Sequence, residues 1–274
     1  MTKYDRLNCM LSSLTFHILY HKLILRLKQP KFVIQQAIIY KKATSMDKKC
    51  LIISGGEFSD SFPKEHYDLI VACDKGYEYA QKLDIVPDII VGDFDSFSLQ
   101  EDIIVPFSAD ISSGIISHAN GMLNGIPVIK LPCRKNDSDT GYAVKAALMH
   151  GFKDITIACA MGGRFDHTIS NIQTGSYIAR SGGRASLYGE LEIIHIFSSG
   201  SLTLPRKDSH SISVFSLTPI CSHVSISGSE YDIIDTSLSN CYPIGLSNEW
   251  REEKITVTVG EGIIMTVQCR IDQT

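Results

Sequence analysis

Acidic side chains recur in this sequence at one kind of place, the end of a short apolar run. LIVAC leads into Asp74, DIIV into Gly-Asp93-Phe-Asp95, IPVIKL into a polar stretch with Asp137 and Asp139, and ITIACA into MGGRFDH with Asp166. Continuous apolar runs of this length suit strands buried on both faces, as in a parallel sheet. In an open α/β sheet, ligands bind beyond the carboxyl ends of the strands. Carboxylates crowded there repel one another unless a cation neutralises them. A hard cation with oxygen ligands, most often Mg2+ beside phosphates, explains such a set economically. No His/Cys group has zinc-like spacing.

Each motif alone leaves alternatives open. GDFDS after an apolar strand suits a haloacid-dehalogenase-like phosphatase or a metal–nucleotide glycosyltransferase, and equally an Asx-rich turn that caps a helix. GGRFDH reads as a glycine turn opening a helix, or as a phosphate cradle. In the second reading Gly162 and Gly163 admit backbone close to phosphate and Arg164 supplies a bidentate donor. It is neither a P-loop nor GxGxxG, so the common nucleotide folds are not indicated.

The elements that must position these residues alternate in type. Helical patterns cover Tyr77–Leu83, Thr140–His150, with Ser138 or Asp139 as its cap, and Thr168–Arg180. Strand alternating with helix predicts a layered α/β domain with a mostly parallel sheet over 46–184. Beyond Gly183 helical periodicity fades. LEIIHIF, SISVFSL, HVSISG, KITVTV and IIMTVQC predict a small all-β sandwich or barrel over 185–274. Phe97–Gly125 is rich in Ser, Gly and Asn and lacks a clear period. A structureless stretch of that length is suspect in a compact domain, and a helix near Leu99–Ile104 followed by a loop is the expectation.

Composition narrows the class. Of 274 residues, 44% are hydrophobic and 20% charged, enough apolar surface for a core and too ordinary for collagen, a long coiled coil or a disordered chain. The net charge of −4 argues against a globally basic nucleic-acid binder, and no nucleic-acid partner is expected. Residues 1–45 hold eight Lys/Arg and one acid, leaving 18 bases and 29 acids in the rest, a charge of −11. Leu7–His21 has no charged residue but is too short to span a bilayer, and no cleavage signal follows it. A basic amphipathic membrane-surface helix is one reading. The preferred one is a basic non-core extension with Met46 as a candidate start, and no membrane partner. The eight cysteines are scattered singly, several within apolar runs, which favours reduced structural thiols and a cytoplasmic setting.

As an ordered set, ACDKG (72–76), PDIIVGDFDS (87–96), KNDSDT (135–140), GGRFDH (162–167) and GLSNEW (245–250) are far more specific than any one of them. An α/β domain followed by a small β domain that carries these motifs resembles the thiamine pyrophosphokinase (thiamine diphosphokinase) family, from about Lys48 to the C-terminus. The resemblance implies transfer of the pyrophosphoryl group of ATP to thiamine, giving thiamine diphosphate and AMP, with Mg2+, in a homodimer whose active sites are shared between subunits. By motif, it implies that Asp74, Asp93, Asp95 and Asp139 form the metal and phosphate site, and that Arg164 and Asp166 complete it. Asp93, Asp95, Asp139 and Asp166 would serve catalysis, and Asp74, Lys135, Ser138 and Arg164 would bind ATP. Tyr231, Ser247 and Asn248 match the family's thiamine contacts, with the tyrosine face against the cationic ring system. Trp250 is not that position and reads as an interface or core aromatic. The stretch from Asp95 to Lys135 is longer than the family needs, Asn136 stands where an acid is common, and Gly141 replaces a larger polar residue. A related pterin pyrophosphokinase, a metal-dependent phosphatase using the GDFDS aspartates and a non-catalytic thiamine- or nucleotide-binding module are the alternatives.

Overall fold

A computed structural model describes residues 48–94, 119, 121–133 and 136–271, all within one compact unit, Ser45–Thr274. The basic segment 1–45, Asp95, Lys135 and the expected helix near Leu99–Ile104 lie outside the described residues.

Six strands build the parallel part: β1 (Lys49–Ile53), β2 (Leu69–Cys73), β3 (Ile89–Gly92), β5 (Ile126–Lys130), β6 (Asp154–Ala158) and β7 (Arg184–Tyr188). Their order is β5-β3-β2-β1-β6-β7, and each neighbouring pair is parallel. From β1 the chain builds outward to β5, then returns to place β6 on the other side of β1. The strand order therefore reverses between β1 and β6, the kind of switch point beyond whose carboxyl ends open α/β sheets bind ligands.

Both faces of this sheet are covered, which is why its strands read as unbroken apolar runs. On one face Ile52, Val71, Val91, Ile157 and Leu187 pack with Ala143, Val144 and Ala147 of α2 (Asp139–Met149) and Ile178 of α3 (Phe165–Arg180). On the other, Leu51, Ile53, Ala72 and Ile90 meet Tyr77, Tyr79 and Ala80 of α1 (Gly76–Lys82), with Phe62 and Tyr67.

β7 is also hydrogen-bonded, antiparallel, to β8 (Glu192–Pro205), so the ladder runs without a break into the all-β part. β8 pairs along its length with β12 (Lys254–Arg270). The pairing shifts between Val259 and Ile263, where Gly262 has a positive φ, as do Ser199 and Gly200 on the β8 side. On the other edge of β12, β9 (His210–Ser216) pairs with its second half and β10 (Ile220–Ser227) with its first, and β11 (Ile233–Ser239) lies beyond β10. Phe197, Ile212, Val214, Val224, Leu238 and Val257 form the core there.

Two details differ from the sequence expectation. α3 begins at Phe165, three residues before Thr168, which puts Asp166 in its first turn. The end of the Phe97–Gly125 stretch is a hairpin: β4 (Gly121–Leu123) pairs antiparallel with β5 through Asn124 (φ 50) and Gly125 (φ 81). Two successive residues with positive φ are what a tight hairpin turn requires, and Asn-Gly supplies them at least cost. Among the described residues no helix is long and apolar enough to cross a membrane.

Candidate active site

The acidic set gathers at the carboxyl ends of β2 and β3. Asp74 follows β2 in the left-handed region (φ 46), and its N–H donates to Val91 O at 2.8 Å. Gly92 ends β3 directly against it: a Cβ there would lie 3.2 Å from Asp74 Cα. Asp93 is the next residue. Asp139 opens α2, whose N-cap is Ser138. The Ser138 Oγ accepts from Gly141 N–H at 3.0 Å. The next residue, Thr140, is buried and its hydroxyl lies 2.8 Å from Ser54 Oγ after β1, so α2 starts against the sheet end. One carboxylate oxygen of Asp74 and one of Asp139 are buried. Both carboxylates are near the Cys73 thiol. Burial pushes that thiol far above its ordinary range, and the charges of Asp139 and Asp74 push it further. Asp137 stands apart: both its oxygens accept from Lys145 Nζ at 2.7 Å.

A second group lies in the loops after β1 and β6. Gly56 N–H donates to Cys159 O (3.0 Å) and Glu57 N–H to Met161 O (2.9 Å), which ties the loop after β1 to the loop after β6. Glu57 Oε1 accepts from Gly163 N–H at 3.0 Å. Gly162 (φ 82) and Gly163 (φ 66) take the left-handed turn that leads into Arg164, the N-cap of α3. The Arg164 guanidinium donates to Asp166 Oδ1 at 3.1 Å and Oδ2 at 2.5 Å. Both side chains are exposed, and their hydrogen bond raises the arginine and lowers the aspartate from their ordinary values. The Ser54–Glu57 loop carries none of the five motifs, and the Gly-Gly pair at the end of the first strand is its one sequence signal.

Among the described residues no three His, Cys, Asp or Glu side chains gather closely enough to hold a metal by themselves. Two carboxylates beside a phosphate site are nevertheless the usual donor set for Mg2+, which completes its shell with substrate oxygens and water. Asp74 and Asp139 are two carboxylates of the kind such a set uses, each with one buried oxygen.

The three expected thiamine residues lie in the all-β part. Tyr231 is 69% exposed, on the turn between β10 and β11. Ser247 is exposed, with φ 55 and its N–H donated to Ser213 Oγ at 3.0 Å. Asn248 is buried, and its backbone exchanges hydrogen bonds with Ile212 at 2.8 and 3.0 Å. Its side chain bonds to both backbone groups of Tyr231. Trp250 is partly buried against the β core, and its Nε1–H donates to His210 O at 3.0 Å.

Two family models match the chain. The thiamin pyrophosphokinase catalytic domain covers residues 64–185 and the thiamin pyrophosphokinase vitamin B1 binding domain covers 201–264, together more than half of the 274 residues. The chain belongs to the thiamin pyrophosphokinase family. It is accordingly an ATP-dependent pyrophosphokinase with thiamine as its acceptor. The acidic residues and Arg164 fall inside the catalytic-domain match, and Tyr231, Ser247 and Asn248 inside the vitamin B1 binding match. The Ser54–Glu57 loop precedes both.

Solved structures agree on the fold. Thiamine pyrophosphokinase from Bacillus subtilis superposes with a TM-score of 0.67 at 22% identity, covering 82% of this chain and 100% of that one. The enzyme from Geobacillus thermodenitrificans gives 0.63 at 19% identity, covering 82% and 99%. The one from Candida albicans gives 0.56 at 21% identity, covering 81% and 89%. Comparison with curated protein sequences returns no match.

Proposed function

We propose that this thiamin pyrophosphokinase works through a division of labour between its two halves. The 46–184 part holds ATP and the 185–274 part holds thiamine, with the β7–β8 ladder as their common frame. The observation that carries the reading is the convergence of Asp74, Asp93 and Asp139 at the carboxyl ends of β2 and β3 and the start of α2, with the Gly162–Asp166 turn after β6. Mg2+ would be held by Asp74, Asp93, Asp95 and Asp139, and when bound it neutralises phosphate oxygens. Arg164 and Lys135 supply cationic donors for the charge that builds on the transferring group, and Ser138 adds a hydroxyl. Asp166 aims the Arg164 fork through its two bonds. One of Asp93 and Asp95 accepts the proton of the thiamine hydroxyl as its oxygen attacks the β-phosphorus, and AMP leaves. Tyr231 and Ser247 bind thiamine, with the exposed ring offered to its cationic face.

The same reading places the enzyme in the cytoplasm, in keeping with free thiols at Cys50, Cys73, Cys159 and Cys221. It also makes it a homodimer. Exposed Tyr231, Ile234, Tyr242, Ile244 and Leu246 give the β half apolar surface for a second copy to cover.

The deciding experiment incubates the protein with ATP, Mg2+ and thiamine and quantifies products. AMP and thiamine diphosphate in equal amounts are expected. ADP, inorganic phosphate, or turnover of a pterin alcohol in place of thiamine would reject the assignment.

A further inference from the structure

A carboxamide offers two N–H donors and an oxygen with two lone pairs. At Asn248 all of this capacity is used inside the chain. Oδ1 accepts from Tyr231 N–H at 3.0 Å and from Glu249 N–H at 2.9 Å. Nδ2 donates to Tyr231 O at 2.9 Å and to Ser229 Oγ at 3.1 Å. The residue is 6% exposed. Nothing remains with which the amide could bind a substrate.

What it binds instead is informative. The amide gives Tyr231 a donor for its carbonyl and an acceptor for its N–H, as the backbone of a neighbouring strand would. Tyr231 sits on a turn, so this side chain does the work of a β-ladder at one residue. The turn is closed further by Ser229, whose N–H and Oγ both donate to Asp232 Oδ1 at 2.8 and 2.9 Å. Asn248 is also the chain neighbour of Ser247. One buried residue thus fixes the backbone from which an exposed aromatic ring projects and, by direct peptide linkage, the residue that presents an exposed hydroxyl.

We infer that Asn248 is a positioning residue for thiamine recognition: its amide touches no substrate and acts by holding Tyr231. The inference rests on the assignment of Tyr231 and Ser247 to thiamine. A side chain held in place before binding loses less freedom on binding, so the benefit falls on substrate affinity and leaves the chemical step alone.

The test is a double-mutant cycle read in steady-state kinetics, after the wild-type enzyme has been shown to make AMP and thiamine diphosphate. If it does not, the functional assignment fails before Asn248 is addressed. Asn248→Ala should raise the KM for thiamine about tenfold, with kcat at saturating thiamine and the KM for ATP unchanged. In a Tyr231→Ala background the same substitution should add less than about twofold, because the group it acts through is gone. Effects that multiply in the double variant would overturn the inference, as would a loss confined to kcat. Should Asn248→Ala fail to fold, Ser229→Ala removes one of the four amide bonds, together with the hydroxyl bond to Asp232, and leaves the other three amide bonds. A smaller KM effect that vanishes with Tyr231→Ala is expected there, and one that persists would overturn the inference equally.

Discussion

Asp93 follows the last residue of β3 and stands beside Asp74, whose backbone is bonded to the same strand at Val91. A carboxylate there can serve phosphate-bound metal and substrate hydroxyl alike, so its charge is what matters. Asp93→Asn keeps the shape and removes the charge. It is expected to lower kcat about 100-fold or more while leaving the thermal midpoint within a few degrees. A fully active variant would show the acidic assignment to be wrong. The carboxylates were legible in the sequence because strand ends in α/β sheets have a known use. Two other features were not. A Ser-Asn pair looks like two contacts, and only the four bonds of the Asn248 amide separate a group that faces outward from one that is spent internally. The Gly55-Gly56 pair marks a turn before Glu57 but not what Glu57 does, because its partner Gly163 is more than a hundred residues away.

At the scale of elements, alternation of strand and helix was legible because it follows from burying both faces of a parallel sheet. The start of α3 was not. Phe165 is 76% exposed and Arg164 makes no side-chain cap, so neither the apolar period nor a capping residue marks the boundary. α1 depends on one close approach: a Cβ on Gly76 would lie 2.0 Å from Ile53 O at the end of β1. The obstacle is backbone, so it cannot rotate away. Gly76→Ala should cost about 3 kcal/mol in urea unfolding, with a matching loss at Gly92 only if the Asp74 turn is equally rigid. The β7–β8 pair carries a different liability. His195, opposite Ser186 and 2.9 Å from its Oγ, is driven by burial down to about 4 from an ordinary 6.5. The unfolded chain therefore binds more protons than the folded one between those values, so stability is complete above pH 6.5 and falls as pH drops toward 4. The loss attributable to this group is about 3 kcal/mol. Urea midpoints of wild type and His195→Gln should converge as the pH is lowered from 7 to 4, and parallel curves would refute the contribution.

For the whole molecule, a net charge of −4 conceals −11 over residues 46–274, which suits a cationic substrate. Among the described residues, those assigned to ATP and those assigned to thiamine sit on different elements, the first at the ends of β2 and β3, the start of α2 and the turn after β6, the second on the β10–β11 turn and the segment before β12. If the reaction is completed by the second copy, the apolar side chains around the thiamine residues belong to the contact. Ile234 is the sharpest probe, being 84% exposed on β11 and so free to accept a charge without disturbing its own fold. Wild type should sediment as a dimer. Ile234→Glu should shift it toward monomer, with the thermal midpoint of the monomer measured alongside, and turnover should fall in proportion to the dimer lost. Because dissociation follows mass action, raising the protein concentration should restore specific activity in the variant and leave the wild type unchanged. A monomeric Ile234→Glu protein with full activity at every concentration would mean that each chain carries a complete site of its own.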